Sequence, residues 1–525
     1  MNKVIVSDIK MPVVHTEAEV FAKAAKLLKS HGAVPGRITV YKKSLDARRK
    51  SDIHFLYSVA AEVQGRLPDR SIPQIRPFDD APVLDLDDLR AKVKSDKKVV
   101  IAGSGPCGLF AAYILAYCGN SVTVLERGAD VDRRTAAVEK FWKFGVLDPD
   151  TNIQFGEGGA GTFSDGKLNT RIGDPLQRFV LEIFVRCGAP AEILYQAKPH
   201  IGTDYLKICV KNLRKEIENL GGRVLFDSCM TDVDIKNDKV VGVKVNGSQY
   251  FECDMLIAAL GHSSRDTYEM LYNRGVKMEQ KPFAAGVRIE HSREFINKMQ
   301  YGNSVDFENL PTADYRLAYN GETRSCYSFC MCPGGVVVNA SSEQEHLVVN
   351  GMSYHQRVAD NSNSALVVTV KPEDFEGDSP LAGVEFQRHY EALAYKAAGG
   401  KGPVQLAADF INNKVSHKFN GVAPSFTGET EFVDLRTCLP GFIANTLKDG
   451  LLDFSRRIKG FSDEGAVLTG VEMRTSAPLR VVRDANFESV SHKGLFPAGE
   501  GAGYAGGIMS AAIDGIKTAI HVAQR

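Results

Sequence analysis

The 525-residue chain is short of three things: surplus charge of either sign, long apolar runs and tryptophan. Lysine plus arginine number 64 and aspartate plus glutamate 64, so no global field draws the protein to nucleic acid or to an anionic membrane. No run of roughly 18 apolar residues occurs. The opening MNKVIVSDIKMPVVH alternates like a strand and lacks a signal-peptide core, so the expectation is a cytoplasmic protein with no membrane partner. The ten cysteines are scattered without the spacing of a disulfide framework, which suits a reducing compartment. Cys326, Cys330 and Cys332 come close together, yet C-x-C is not the usual dithiol spacing and no fourth ligand stands nearby, so no metal site is expected. The oligomeric state is left open.

What is present is material for several cores, with 44% hydrophobic residues. Residues 1–64 read as strand, helix, strand, strand and are expected to form a small ferredoxin-like α+β module. Residues 65–96, with Pro68, Pro73, Pro77 and Pro82 among acidic side chains, read as a linker. The strongest signal follows in KKVVIAGSGPCGLFAAYILAYCGNSVTVLERG, residues 97–128. A buried parallel-type strand runs into Gly103, Gly105 and Gly108, Pro106 precedes a helix of small residues, and a second strand ends at Glu126 and Arg127. Gly103 makes the turn, Gly105 lets a pyrophosphate approach the main chain, Gly108 packs helix on strand, and Glu126 is placed to accept from ribose hydroxyls. Arg127 is counted with the cofactor-binding residues.

Three later segments extend this signal. In IQFGEGGAGTFSDGKLNTRIGD, residues 153–174, Gly158, Gly159 and Gly161 permit close approach, while Thr162, Ser164 and Asp165 offer polar contacts. DMLIAALG, residues 254–261, is an apolar strand running through Ala259 into Gly261, after alternating segments typical of a β-meander. GLFPAGEGAGYAGGIMSAAIDGIKTA, residues 494–519, is a strand, a turn holding Gly499, Glu500, Gly506 and Gly507, and a helix opening at Ile508. After Glu126 no second glycine fingerprint stands in register; AAGGKGPVQ, residues 397–405, comes nearest, and Pro403 spoils it. The expected division is a dinucleotide-binding domain over 97–275 with a helical and glycine-rich insert at 129–198, a β-rich α+β cap over 276–464, and a return to the first domain over 465–525.

The order of these parts resembles the glutathione-reductase-type FAD domain. GEGGAGTFSDGKL, KPHIGTD, LGHSSRDTYEML, KPFAAGVRIEH, FCMCPGGVVV, VEMRTSAPLR and the closing GLFPAGEGAGYAGG resemble the bacterial family of uncharacterised FAD-dependent dehydrogenases, over nearly the whole chain. The resemblance implies a three-layer Rossmann-like α/β fold, noncovalent FAD and oxidoreductase chemistry, with NAD(P)H entering only as a transient electron donor. It further implies that Ala259 and Gly261, the loop from Gly158 to Ser164, and Gly499, Glu500 and Gly506 to Ile508 touch the cofactor, with Glu500 on the ribityl chain. Flavin carries the redox chemistry, so the protein need add only binding, orientation and an acid or base. Arg474, Arg288 and His355 are the candidate catalytic residues, and Arg288 or Arg357 approaching Arg474 would favour a small carboxylated substrate. A second reading, an FAD-containing RNA-binding or RNA-modifying protein gripping RNA with Lys42, Lys43, Arg48 and Arg49, is disfavoured by the charge balance.

Overall fold

The structure is a computed structural model that describes residues 2–64, 72–79, 81–93, 96–169, 173–303 and 307–525. Five parallel strands form its central sheet, in the order Leu495–Pro497, Met255–Ala258, Lys98–Ala102, Ser121–Leu125 and Arg223–Leu225. Because side chains alternate along a strand, Val99 and Ile101 face one side and Val100 and Ala102 the other, and both sides are covered. On the first side lie the helices Pro106–Tyr117, Thr203–Asn219 and Ile508–Gln524. On the second lies the three-stranded antiparallel sheet Met230–Lys236, Lys239–Val245 and Gln249–Glu252, through Val233, Val240 and Val243. The result is three layers, helix, parallel sheet and meander.

Helix Pro106–Tyr117 is buried on all sides from Cys107 to Ala116, which is why small residues fill it. A Cβ on Gly108 would stand 1.9 Å from Gly103 O, and one on Gly515 would stand 2.2 Å from Cys107 O. The two helices therefore meet the glycine turn, and each other, backbone to backbone.

Between the short antiparallel strands Met278–Gln280 and Leu479–Val481 the chain leaves and returns side by side. The intervening residues build a seven-stranded sheet in the order Ala318–Asn320, Ser325–Cys332, Asn361–Val370, Phe283–Ser292, Val467–Glu472, Gly402–Leu406 and Thr430–Phe432. It is antiparallel except for the pair Gly402–Leu406 and Thr430–Phe432. Helix Gly441–Arg457 covers it, packing Ile443, Leu447, Leu451 and Phe454 into the largest apolar cluster. Trp142 ties the insert to this unit by donating to Asn339 O at 3.0 Å.

The amino-terminal sheet runs Val34–Asp46, His54–Gln64, Asn2–Met11, Ile75–Pro77, with helix Glu17–Ser30 capped reciprocally by Thr16 and Glu19. The strand order is that of a ferredoxin-like sheet; a second helix is absent among the described residues. The stretch read as a linker differs from expectation. Ile75–Pro77 supplies the fourth strand because Ile75 is buried beside Val6, and Pro77 is tolerated on an edge strand that needs no further donor. Leu86–Ala91 forms a helix, and residues 65–71, 80, 94 and 95 of that stretch, Pro68 included, lie outside the described residues. The module docks through strand Val34–Asp46, where Lys43 N donates to Tyr195 O at 2.7 Å and Ala197 N to Lys43 O at 2.9 Å. All ten cysteines are free, and no helix among the described residues is long and apolar enough to cross a membrane.

Replacing Gly515 by valine tests the helix contact. The side chain has to displace the Cys107 carbonyl, so the denaturation midpoint should fall by an amount typical of overpacking, about 1–3 kcal/mol or more. Unchanged stability would show that the helices are not held this close.

Candidate functional site

One cavity of about 990 Å³ runs from the carboxyl ends of the parallel strands to the cap strand Ser325–Cys332. The end at the glycine turn is walled by Gly103, Gly105, Pro106, Glu126 and Arg127, and by Ala259 and Gly261. Gly159, Gly161 and Ser164 form the next stretch of wall, and Arg474, Glu500, Gly506, Gly507 and Ile508 another. Helices Pro106–Tyr117 and Ile508–Gln524 both begin on this cavity and direct their positive ends and unpaired amides at it. A Cβ on Gly261, Gly506 or Gly507 would meet nothing within 4 Å, and one on Gly105 only Gly159 Cα at 4.0 Å. These glycines border open space in which a ligand touches main chain. A long dinucleotide with a diphosphate between its two ring systems fits that lining.

Several predicted residues stand behind the wall. Gly158 and Thr162 face a small void beside Val210, and Thr162 Oγ1 donates to Glu157 O at 3.3 Å. Gly499, with φ +77°, lets its N donate to Asp514 at 2.7 Å while its Cα passes Cys107 closely. Gly108 packs helix on turn, as described above.

Glu126 borders the cavity, but its carboxylate is already employed. Oε2 accepts from Ser104 N at 2.9 Å and Ser104 Oγ at 2.7 Å, and Oε1 from Gly128 N at 3.0 Å and Gly156 N at 2.9 Å. These four bonds fill the lone pairs of a carboxylate. The residue thus ties the glycine turn to the loop at Gly156, where the sequence had suggested only a ribose acceptor. Arg127 stacks over Phe155 at 4.4 Å and pairs with Asp266 at 2.7 Å, which makes a flat wall beside it.

The expected arginine clamp is corrected by the structure. Arg288 is fully buried, does not border the cavity, and spends its guanidinium on Glu472 at 2.8 Å, Asn363 at 2.7 Å and Asn350 at 3.0 Å. Arg357 grips Asp165 with two bonds of 2.9 and 2.5 Å. Arg474 does border the cavity, yet it holds buried Glu391 at 2.8 and 2.6 Å, with Ser342 at 2.7 Å and Ser263 at 3.0 Å. The three are held by acids in different places, Glu472, Asp165 and Glu391, and so are dispersed instead of gathered. Burial works against the Glu391 carboxylate, but Arg265 and Arg474 outweigh it and bring its pKa to about 2. His355 lies away from the cavity, stacked on His200 with ring centroids 5.1 Å apart, its Nε2 3.2 Å from Glu192.

Sequence reasoning missed Lys167, His262, Glu472 and the wall at Ser228–Met230. Lys167 was legible within FSDGKL, two residues after Asp165; Ser228–Met230 carries no motif. His262 is driven to a pKa of about 3 by burial, with Arg474 and Arg265 adding to the effect, so it is neutral at physiological pH. Burial pushes Glu500 up to about 7, against the opposing influence of Lys281.

A parallel sheet whose glycine turn and two helix starts open on one elongated cavity defines a nucleotide-binding protein of the Rossmann kind. Residues 282–475 match the family described as FAD-dependent protein, C-terminal domain-like, and residues 1–62 match a domain of unknown function. An uncharacterised protein of Clostridium beijerinckii is 52% identical over 500 residues, spanning 93% of this chain and 92% of that one. The chain belongs to the same family as that protein, a family of FAD-dependent proteins, and FAD is its cofactor. A more distant match is the [F-actin]-monooxygenase MICAL2 of Mus musculus, 26% identical over 302 residues, which is 52% of this chain and 14% of that protein. Among solved structures, the flavin-dependent halogenase CmlS matches at a TM-score of 0.37 and 16% identity, over 82% of this chain and 58% of that one.

Two expectations follow. Gly105→Val should fold and yet purify colourless, because the new side chain projects into the cavity; a folded variant that keeps full FAD would displace the cofactor from this turn. Glu500 gives a pH signature in the apoprotein. Its folded pKa is raised above the ordinary 4.5, so its contribution is fully present below 4.5 and is lost as pH rises through about 7. Urea unfolding at pH 5 and pH 8 should show a wild-type decline, relative to Glu500→Gln, of at most about 3 kcal/mol.

Proposed function

We propose that the protein is an FAD-dependent oxidoreductase that passes hydride or electrons between flavin and a small organic substrate in the outer half of the cavity. The observation that carries this reading is the continuity of one cavity from the glycine turn, at Gly103 to Cys107, to the cap strand Ser325–Cys332. When bound, FAD supplies the redox chemistry; the chain supplies binding, orientation and a boundary against water. Two helix starts offer amides to anionic cofactor groups, and Glu500, with a pKa of about 7, both holds and releases a proton at neutral pH. Arg474 is a fixed positive group in the wall, kept in place by Glu391.

We read the FAD domain as glutathione-reductase-like, a reading supported by the meander of residues 230–252 standing immediately before strand Met255–Ala258. NAD(P)H is assigned only a passing visit as electron donor, since the cap is built on a mainly antiparallel sheet. The RNA-contact reading of the amino-terminal module gains no support: the Lys43 ammonium lies over Phe55 at 4.6 Å, and Arg48 grips Asp46 at 2.5 Å.

The test is an anaerobic one. The purified protein should be yellow, release its FAD on denaturation, and be bleached by an organic donor or by NAD(P)H and reoxidised by an acceptor. A protein that binds FAD but exchanges electrons with no donor, dithionite aside, would count against oxidoreductase function.

A further inference from the structure

The cap strand Ser325–Cys332 places Tyr327 and Phe329 two residues apart, on one face, over small neighbours Ala284, Ala365 and Val367. Leu317 and Ala318 border the cavity beside them. This half of the cavity is therefore a slot with two aromatic rings on one wall, lined also by Arg316, Asn320, Ser325 and Ser328.

At the end of the same strand the ladder breaks. Pairing with Asn361–Val370 shifts between Phe329 and Cys332, and Cys330 takes φ +43°, the left-handed region that a side chain other than glycine seldom adopts. The bulge leaves the Met331 carbonyl outside the ladder, and Lys167 Nζ donates to it. Lys167 Nζ also stands 3.1 Å from Asp165 Oδ2, and its side chain retains 29% exposure at the cavity wall. An ammonium has three donors; two are directed at Met331 and Asp165, and one is left for the cavity.

Asp165 is itself fully buried and is gripped by Arg357 through two bonds of 2.9 and 2.5 Å, and by Ser353. Asp165, Arg357 and Lys167 together carry one net positive charge. The neighbouring Glu472 does not cancel it, because Arg288 neutralises that carboxylate at 2.8 Å. A partly desolvated monocation with a spare donor, at the end of an aromatic slot, matches one monoanionic oxygen pair. Arg316, on the same wall, adds a guanidinium as a second donor group for an anion.

We propose that the outer half of the cavity binds an aromatic carboxylate, with Lys167 holding the carboxylate and Tyr327 and Phe329 flanking the ring. Asp165 and Arg357 are positioning residues that fix the ammonium. This rests on the reading of the cavity as the substrate site of a flavoenzyme and names the substrate class.

The experiment uses the FAD-loaded protein and follows the flavin absorption spectrum on titration with benzoate, 2-naphthoate and benzamide. Benzoate and 2-naphthoate should perturb the spectrum saturably, 2-naphthoate at lower concentration, and benzamide should bind roughly tenfold or more weakly. Lys167→Met should weaken both carboxylates by roughly tenfold or more and leave benzamide unchanged, whereas Lys167→Arg should retain most of the affinity. Phe329→Ala should weaken 2-naphthoate more than benzoate. Equal binding of benzoate and benzamide by the wild-type protein, equal binding of benzoate by Lys167→Met and wild type, or no carboxylate effect on FAD-loaded protein would overturn the proposal. The wild-type comparison decides the matter even if Lys167→Met fails to fold. Failure of the broader reading looks different: the protein then carries no FAD or exchanges no electrons.

Discussion

The turn at Gly103 to Gly108 is the point on which the rest of the molecule closes, because three backbones meet there with no room for side chains. Gly108 brings the helix onto the turn, Gly515 brings the last helix onto Cys107, and Gly499 passes Cys107 with its would-be Cβ 2.8 Å from the Cys107 Cβ. The first two contacts are with main chain, and the third is with the short Cys107 side chain. Glycine loses more conformational entropy on folding than other residues, so its use here is stabilising only through the packing it permits. The dividend is an elongated cavity edged by amides and glycine Cα atoms.

Charge is organised by the opposite logic. Arginines at 265, 288, 357 and 474 are inside the protein or at its internal boundary, and each meets an acid from a distant part of the chain. Removing one member of such a pair leaves an uncompensated buried charge, which is far more costly than losing a surface bridge. The pairs therefore act as registration pins: Glu391 on helix Ala382–Ala397 joins Arg265 of the parallel-sheet domain to Arg474, just after strand Val467–Glu472. Asp165 likewise joins the glycine loop to Arg357 of the cap.

What could be read from the sequence was whatever depends on short-range order. The strand, glycine turn and helix at 98–117, the strand Ser121–Leu125 and the capped helix Glu17–Ser30 each have their cause within a few residues. The site half that is built from main chain was legible for the same reason, since a glycine advertises itself. The side chains of Arg288, Arg357 and His355 were misread because their roles depend on partners 62 to 192 residues away, such as Glu472 for Arg288 and Asp165 for Arg357. Ile75–Pro77 escaped notice because three residues amid prolines carry too little alternation to announce a strand.

The two halves of the cavity consequently differ in how they respond to sequence change. Main-chain contacts persist under most substitutions except at the glycines, so the glycine-turn half tolerates variation around a few immovable points. The outer half is made by side chains on Ala318–Asn320 and Ser325–Cys332, two strands at one edge of the seven-stranded sheet. Ala318–Asn320 is the edge strand and Ser325–Cys332 is paired on both sides, but Tyr327 and Phe329 stand on the face of the sheet away from its largest apolar cluster, so they can change size and polarity without repacking that core. The bulge at Cys330 couples that edge to the glycine loop, through the Met331 carbonyl and Lys167. Changes at Tyr327 and Phe329 alter the shape of the slot and leave this link in place, while changes at Lys167 or Asp165 alter both the slot's charge and the seam between cap and loop. Shape and charge of this wall are thus set by different residues.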